Sequence, residues 1–217
     1  MNKLTKSYFC DVLVKNNFPL ANIIDVGVQY ETTELRKAFS HVHQILIEPQ
    51  PHLLPIIRKN YQGNDFTLLN IGVSDLSATQ FVHSNDNNLC SISNVVSDTE
   101  IQVDTLDNIC KDLEKWLLLK IDVDGPECKV LNGAKQTLEK SAFVIIEAQL
   151  SRFKDISNIL HGANFDLFSI IDPLYLGDCL WQVDLVFINK NVKDQYPGFD
   201  INKSASNGCR DLHPGIL

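Results

Sequence analysis

Residues 117–134 read LLLKIDVDGPECKVLNGA. An apolar run carries Lys120, Asp122 and Asp124 and then breaks at Gly125-Pro126. Beyond the break, Val130, Leu131 and Ala134 recur at helical spacing. The pattern predicts a buried parallel strand that ends in carboxylates and turns straight into a helix. In open α/β sheets ligands sit outside the carboxyl ends of the strands, so Asp122 and Asp124 stand at the rim of a site. Two charges at the end of a buried strand carry a desolvation cost that water or a ligand must offset. The alternative is that one of the two, Asp124 ahead of Asp122, is the N-cap of the following helix.

Working outward, the same alternation appears on both sides. A helix is expected over 3–16, ended by Asn16-Asn17 and Pro19. Strands are expected at 23–27 and 44–48, with a helix between them from Thr32 or Thr33 to Phe39. A helix over 52–60 and a third strand over 66–73 follow. This β-α-β-α-β order with short connections is the signature of a parallel, doubly wound sheet. Residues 76–105 interrupt it with polar turn chemistry and short strand-like pieces, and read as a lid-like excursion, partly hairpin. A helix over 106–116 leads back to the stretch quoted first. Further on come a strand over 143–149, a helix over 151–161, and strands over 165–171 and 182–189. Two strands in succession without a helix predict an antiparallel edge hairpin. The domain is placed at 1–190, and residues 191–217, rich in polar residues, Gly and Pro, read as a C-terminal tail.

Composition limits the function classes. The 217 residues are 44% hydrophobic with a net charge of -8, enough for one substantial α/β core. The acidic balance argues against nucleic acid, whose phosphates demand clustered Lys and Arg. No apolar run approaches the roughly 20 residues that span a bilayer, so no membrane partner is expected and the cytoplasm is the expected location. The six cysteines are widely spaced without a C-x-x-C pair, which excludes a zinc-type ligand pattern and leaves buried or incidental thiols.

The first strand-to-helix turn, Asp25-Val26-Gly27-Val28-Gln29-Tyr30-Glu31, offers Gly27 for close backbone approach. Glu48, closing the second strand, has the chemistry to accept both hydroxyls of a ribose. The G-x-G-x-x-G of pyrophosphate-binding folds is absent. An adenosine cofactor without phosphates fits better, S-adenosylmethionine above all. Taken alone, the turn also reads as an ordinary connection with a glycine for geometry.

Three motifs carry a resemblance to the FkbM family of S-adenosylmethionine-dependent methyltransferases. They are IIDVG at 23–27, LIEP at 46–49, and KIDVDGPE at 120–127 with VLNGA at 130–134. Lesser echoes are GVSD at 72–75, VDTLD at 103–107 and VIIE at 144–147. The resemblance spans about residues 20–190. It implies a Rossmann-like, mostly parallel seven-stranded sheet with its last strand inserted antiparallel, forming an edge hairpin. It also implies methyl transfer, usually to a hydroxyl of a sugar or polyketide. Carried over, it puts Asp25 and Gly27 beside the methionine moiety, Glu48 on the ribose, Ser74 and Asp75 near the adenine, and Asp122 near the sulfonium and the acceptor. The chain departs from the family pattern at Glu31, where a second glycine is usual, and at Asp124, where the family has Glu.

Methyl transfer to a hydroxyl needs alignment and a group that removes the proton. Asp122 and Glu147, at the ends of adjacent strands, are the base candidates. With Asp124 they form three carboxylates, which do not make an octahedral cation site by themselves, so no metal is assigned. Lys120 is expected to bury its stem and pair with a carboxylate. His83 is the histidine singled out, within the excursion. Tyr175 and Trp181 either line an acceptor pocket or cover the sheet edge. The expected partner is a hydroxylated small molecule, and a homodimer is one possible assembly. The rival readings are a non-catalytic binding module on a methyltransferase scaffold and an enzyme for another nucleotide ligand.

Overall fold

The computed structural model describes residues 5–84, 90–93, 99–196 and 199. Helix α1 (Lys6–Lys15) starts where the Thr5 hydroxyl accepts the Tyr8 N–H. It leads into β1 (Asn22–Val26), α2 (Thr33–Ala38) and β2 (His43–Ile47). A single 3₁₀ turn opened by Pro51 precedes α3 (Leu54–Asn60), which leads to β3 (Phe66–Leu69). The chain then builds β4 (Gly72–Val73), β5 (Ala78–Ser84), β6 (Cys90–Ser93) and β7 (Thr99–Asp104), and the short α4 (Leu106–Ile109). Next come β8 (Leu117–Ile121), α5 (Glu127–Asn132), α6 (Lys135–Lys140), β9 (Ser141–Gln149) and α7 (Phe153–Gly162). The long β10 (Phe165–Leu176) and β11 (Cys179–Asn189) form a hairpin, and α8 (Lys190–Gln195) follows.

Seven strands form one sheet in the order β10-β11-β9-β8-β1-β2-β3. β9, β8, β1, β2 and β3 run parallel, and β11 is inserted antiparallel between β10 and β9. This is the mostly parallel Rossmann-like sheet with an antiparallel edge hairpin that the motifs imply. β2 lies on one side of β1 and β8 on the other, so the chain changes direction of growth beside β1. Such a switch point leaves a crevice at the carboxyl ends of the strands.

The side-chain period of two sorts each central strand between two cores. Leu117, Leu119 and Ile121 face α5, α6 and α7, packing with Val130, Leu138 and Ile156. Leu118 faces the other way, against Phe9, Leu13, Leu35 and Phe143 on the side of α1 and α2. Lys120 shares the parity of Leu118. It is therefore buried on the α1 side, where a charge has to find partners.

Three expectations are corrected. The helix expected over 106–116 ends at Ile109, and Cys110 already has non-helical backbone. The strand expected over 66–73 is two strands in different sheets, because Gly72 and Val73 pair with β7. The excursion is thus a four-stranded sheet, β4-β7-β5-β6. The tail does not begin at residue 191. Asn189 caps α8 through its side chain, and Phe199 is buried at 4% exposure among Phe18, Phe143 and Phe168. Residues 200–217 and the side chain of His83 lie outside the described residues.

Candidate functional site

A cavity of about 410 Å³ opens at the carboxyl ends of β1, β2 and β8. Two features of the β1 turn shape it. Gly27 has φ +80, and a Cβ there would overlap the main-chain carbonyl of Asp122. Only glycine lets the turn pass this close to β8. Gln29 follows at φ 55, which directs its N–H to Glu48 Oε2 at 2.9 Å.

Glu48 is nearly inaccessible from outside and lines the cavity. Its Oε1 accepts the Gln50 N–H at 2.9 Å. Each carboxylate oxygen thus takes one backbone donor and keeps acceptor capacity. Burial pushes its pKa above the ordinary carboxylate range, and the backbone donors of Gln50 and Gln29, together with the Gln50 side chain, pull against it.

A row of charges crosses the strand ends on the α1 side. Asp25 and Lys120 are register partners in β1 and β8. The Lys120 ammonium lies 3.1 Å from Asp25 Oδ1 and 3.0 Å from Asp122 Oδ2. Burial would discharge this lysine, but Asp122 and Asp25 outweigh it and hold the ammonium charged. Asp122 hydrogen-bonds to Glu147. Glu147 is the register partner of Asp184 in β11. Lys6, from α1, closes the row with its Nζ 2.7 Å from Asp184 Oδ2.

The proton distribution in this row is uneven. Burial raises the pKa of Asp122, but Lys120 beside it more than reverses that and holds the carboxyl below its usual range. Among the described residues no cation is in contact with Glu147. Burial first, then the charges of Asp122 and Asp184, push it up to about 8. The two shifts run in opposite directions, so within the pair Glu147 is the group that favours the proton and Asp122 the group that favours the charge.

The site residues expected from the sequence divide. Gly27, Glu48, Asp122 and Glu147 all border the cavity. Asp25 does not. It is fully buried behind Gly27 and meets the site through Lys120. Ser74 and Asp75 are not among the lining residues either. Gly72 and Val73 border the cavity, while Ser74 packs on Gly133, where a Cβ would overlap its carbonyl. Trp181 lines the cavity, whereas Tyr175 points into solvent at 56% exposure. Glu31 lines it too, with Arg36 Nε 2.6 Å from its carboxylate. Sequence reasoning missed Lys6, Thr32 and Gln182, which also border it. It also missed Arg152, whose guanidinium binds Glu127 at 2.5 Å and the Gly125 carbonyl, fixing the turn after Asp124. Among the described residues no group of three or more His, Cys, Asp or Glu is placed to hold a metal ion.

The switch-point cavity, the buried carboxylate beside it and the inserted antiparallel strand form the Rossmann-like arrangement that the motifs imply. Residues 20–167 match the methyltransferase FkbM domain, and the chain belongs to that family. S-adenosylmethionine is its cofactor, and the residues present fit it. Glu48 keeps acceptor capacity beyond its backbone donors, Gly27 lets the turn close against the backbone at Asp122 beside the cavity, and both lysines at the cavity are already paired with carboxylates. No curated protein sequence matches the chain significantly. Among solved structures, a precorrin-6y C5,15-methyltransferase from Geobacter metallireducens GS-15 aligns with a TM-score of 0.48 and 11% identity, over 86% of this chain and 90% of that one. The magnesium protoporphyrin IX methyltransferase from Synechocystis PCC 6803, with bound S-adenosylmethionine, aligns at 0.47 and 10%, over 85% and 79%. Neither reaches a TM-score of 0.5, and the family assignment rests on the domain match.

Proposed function

We propose that this chain transfers the methyl group of S-adenosylmethionine to a hydroxyl of a small carbohydrate-like or natural-product acceptor. The observation that carries the reading is the carboxyl pair Asp122–Glu147 at the cavity, with one member held ionised by a buried ammonium. When bound, the cofactor supplies a methyl group on a sulfonium, already activated for transfer.

The protein's own residues hold, align and accept a proton. Glu48 receives the ribose hydroxyls on the lone pairs that Gln29 and Gln50 leave free. Gly27 keeps the turn close to the methionine end. Asp25 acts one step back, by fixing Lys120. Ser74 and Asp75 support the adenine end from behind Val73. Asp122, ionised, takes the acceptor's hydroxyl proton at its carboxylate, the task a general base performs in transfer to oxygen. Glu147 donates its proton in a hydrogen bond to Asp122 and so orients it. Fixing acceptor oxygen and methyl carbon in line lowers much of the remaining barrier.

The acidic lining supports an uncharged or cationic acceptor over a polyanion such as nucleic acid. Calorimetric titration with S-adenosylhomocysteine tests the cofactor half of the reading. Binding is expected. A scaffold that has lost the reaction binds neither form of the cofactor, and an enzyme for another nucleotide prefers a phosphate-bearing ligand.

A further inference from the structure

A second cavity, of about 430 Å³, adjoins the first on the far side of Glu147. Lys6, Glu34, Glu147 and Gln182 line both. The second adds Asp172, Leu174 and Asp184 from the β10–β11 hairpin. Lys6 is the one cation among the described residues lining it, and Asp184 holds that charge at 2.7 Å. An anionic ligand therefore meets no free positive charge there, while carboxylate and amide oxygens suit hydroxyl donors.

The hairpin above these cavities ends in large exposed apolar side chains. Leu174, Tyr175 and Leu176 are 48%, 56% and 60% exposed, and Trp181 is 37% exposed. Trp181 borders the first cavity and Leu174 the second, so exposed apolar side chains of the hairpin stand at both cavities. Contiguous exposed apolar surface next to a polar cavity marks a contact site for an apolar group.

We propose that the second cavity is the acceptor site and that the acceptor is amphiphilic. An uncharged polyhydroxylated head lies between Glu34, Glu147 and Gln182, with one hydroxyl at the Asp122–Glu147 pair. An alkyl or aryl tail lies along Leu174, Leu176 and Trp181. This rests on the methyltransferase reading and adds the place and the two-part chemistry of the acceptor.

The test uses methyl, hexyl and octyl β-glucoside, each below its micelle concentration, titrated into the full chain loaded with S-adenosylhomocysteine. Tryptophan emission is the readout, because Trp116 is buried at 7% and an exposed-tryptophan signal comes from Trp181. Affinity should rise about tenfold or more from the methyl to the octyl glucoside, with a blue shift, since each buried methylene adds several-fold. The Leu174→Ser, Leu176→Ser double variant should lose that chain-length dependence and keep its S-adenosylhomocysteine affinity. Equal affinity across the series, no binding of any glucoside, or a chain-length dependence that survives the double variant would overturn the proposal. A response to phosphatidylcholine vesicles alone would also overturn it and point to a bilayer surface. Failure to bind S-adenosylhomocysteine at all would contradict the methyltransferase reading itself, and this proposal with it.

Discussion

The Lys120 ammonium lies 3.0 Å from the Asp122 carboxylate, two residues along the same chain. Strand geometry puts positions 120 and 122 on one side of the sheet. β8 ends at Ile121, so the lysine stays buried while the aspartate reaches the cavity. One buried cation thereby sets the charge of a group at the site. Removing it strands the fully buried Asp25 without a counter-charge. Lys120→Met should cost about 3–5 kcal/mol of stability, the range for breaking a buried pair from one side. Adding Asp25→Asn should recover part of the loss. Urea denaturation checks both, and a loss under about 1 kcal/mol in the single variant would be out of line with a buried pair.

Glu147 makes stability depend on pH. Its pKa rises from 4.5 in the ordinary state to about 8 in the fold. Between those values the folded protein holds a proton that the unfolded chain has released. Its contribution to stability therefore declines as pH rises from about 4.5 to about 8. Asp122 shifts downward, so its own contribution changes only below its ordinary 3.8, outside this window. Glu147→Gln keeps an uncharged hydrogen-bonding side chain. Its urea midpoint should fall less than that of the wild type across this range, and parallel curves would contradict the shared proton.

Glu48 presents a carboxylate already oriented by two backbone donors. Glu48→Ala should weaken S-adenosylhomocysteine binding by about 1.5–3 kcal/mol, the worth of charge-assisted hydrogen bonds. Unchanged affinity in calorimetry, with an intact fold, would remove Glu48 from the ribose.

Phe199 ties the chain beyond β11 to the core through edge-on contacts with Phe18 and Phe143. Phe199→Ala should cost about 3 kcal/mol, the lower end for emptying a buried aromatic site. A melting temperature unchanged from the wild type would show that this contact adds nothing.

The sequence was most readable where one strand carries the whole signal. The runs at 23–27, 44–48 and 117–121 are apolar apart from Asp25, Gln44, Glu48 and Lys120, and short, nearly continuous apolar runs mark strands covered on both faces. The adjacency of Asp122 and Glu147 followed from neighbouring strands ending in acids. Lys6 could not be read in the same way, because its role depends on how α1 crosses the sheet, and no local pattern records that. Asp25 was expected beside the methionine moiety because the family resemblance carries it there. Its side chain points instead into the α1 face, beside Lys120. Phe199 was hidden because polar neighbours set the average of the tail, and one aromatic with the right contacts outweighs them. A helix was expected to run unbroken over 106–116. The chain instead leaves the helix at Cys110, and its apolar residues pack from a turn.

The most direct measurement is methyl transfer from labelled S-adenosylmethionine to a panel of hydroxylated acceptors, by wild type and Asp122→Asn in parallel. The variant keeps the shape of the site and leaves Lys120 paired with Asp25. Turnover onto oxygen should fall by roughly 10²–10⁴-fold, as for a lost general base, while S-adenosylhomocysteine affinity stays within a few fold. Full activity in Asp122→Asn, or wild-type transfer only to nitrogen or to nucleic acid, would contradict it.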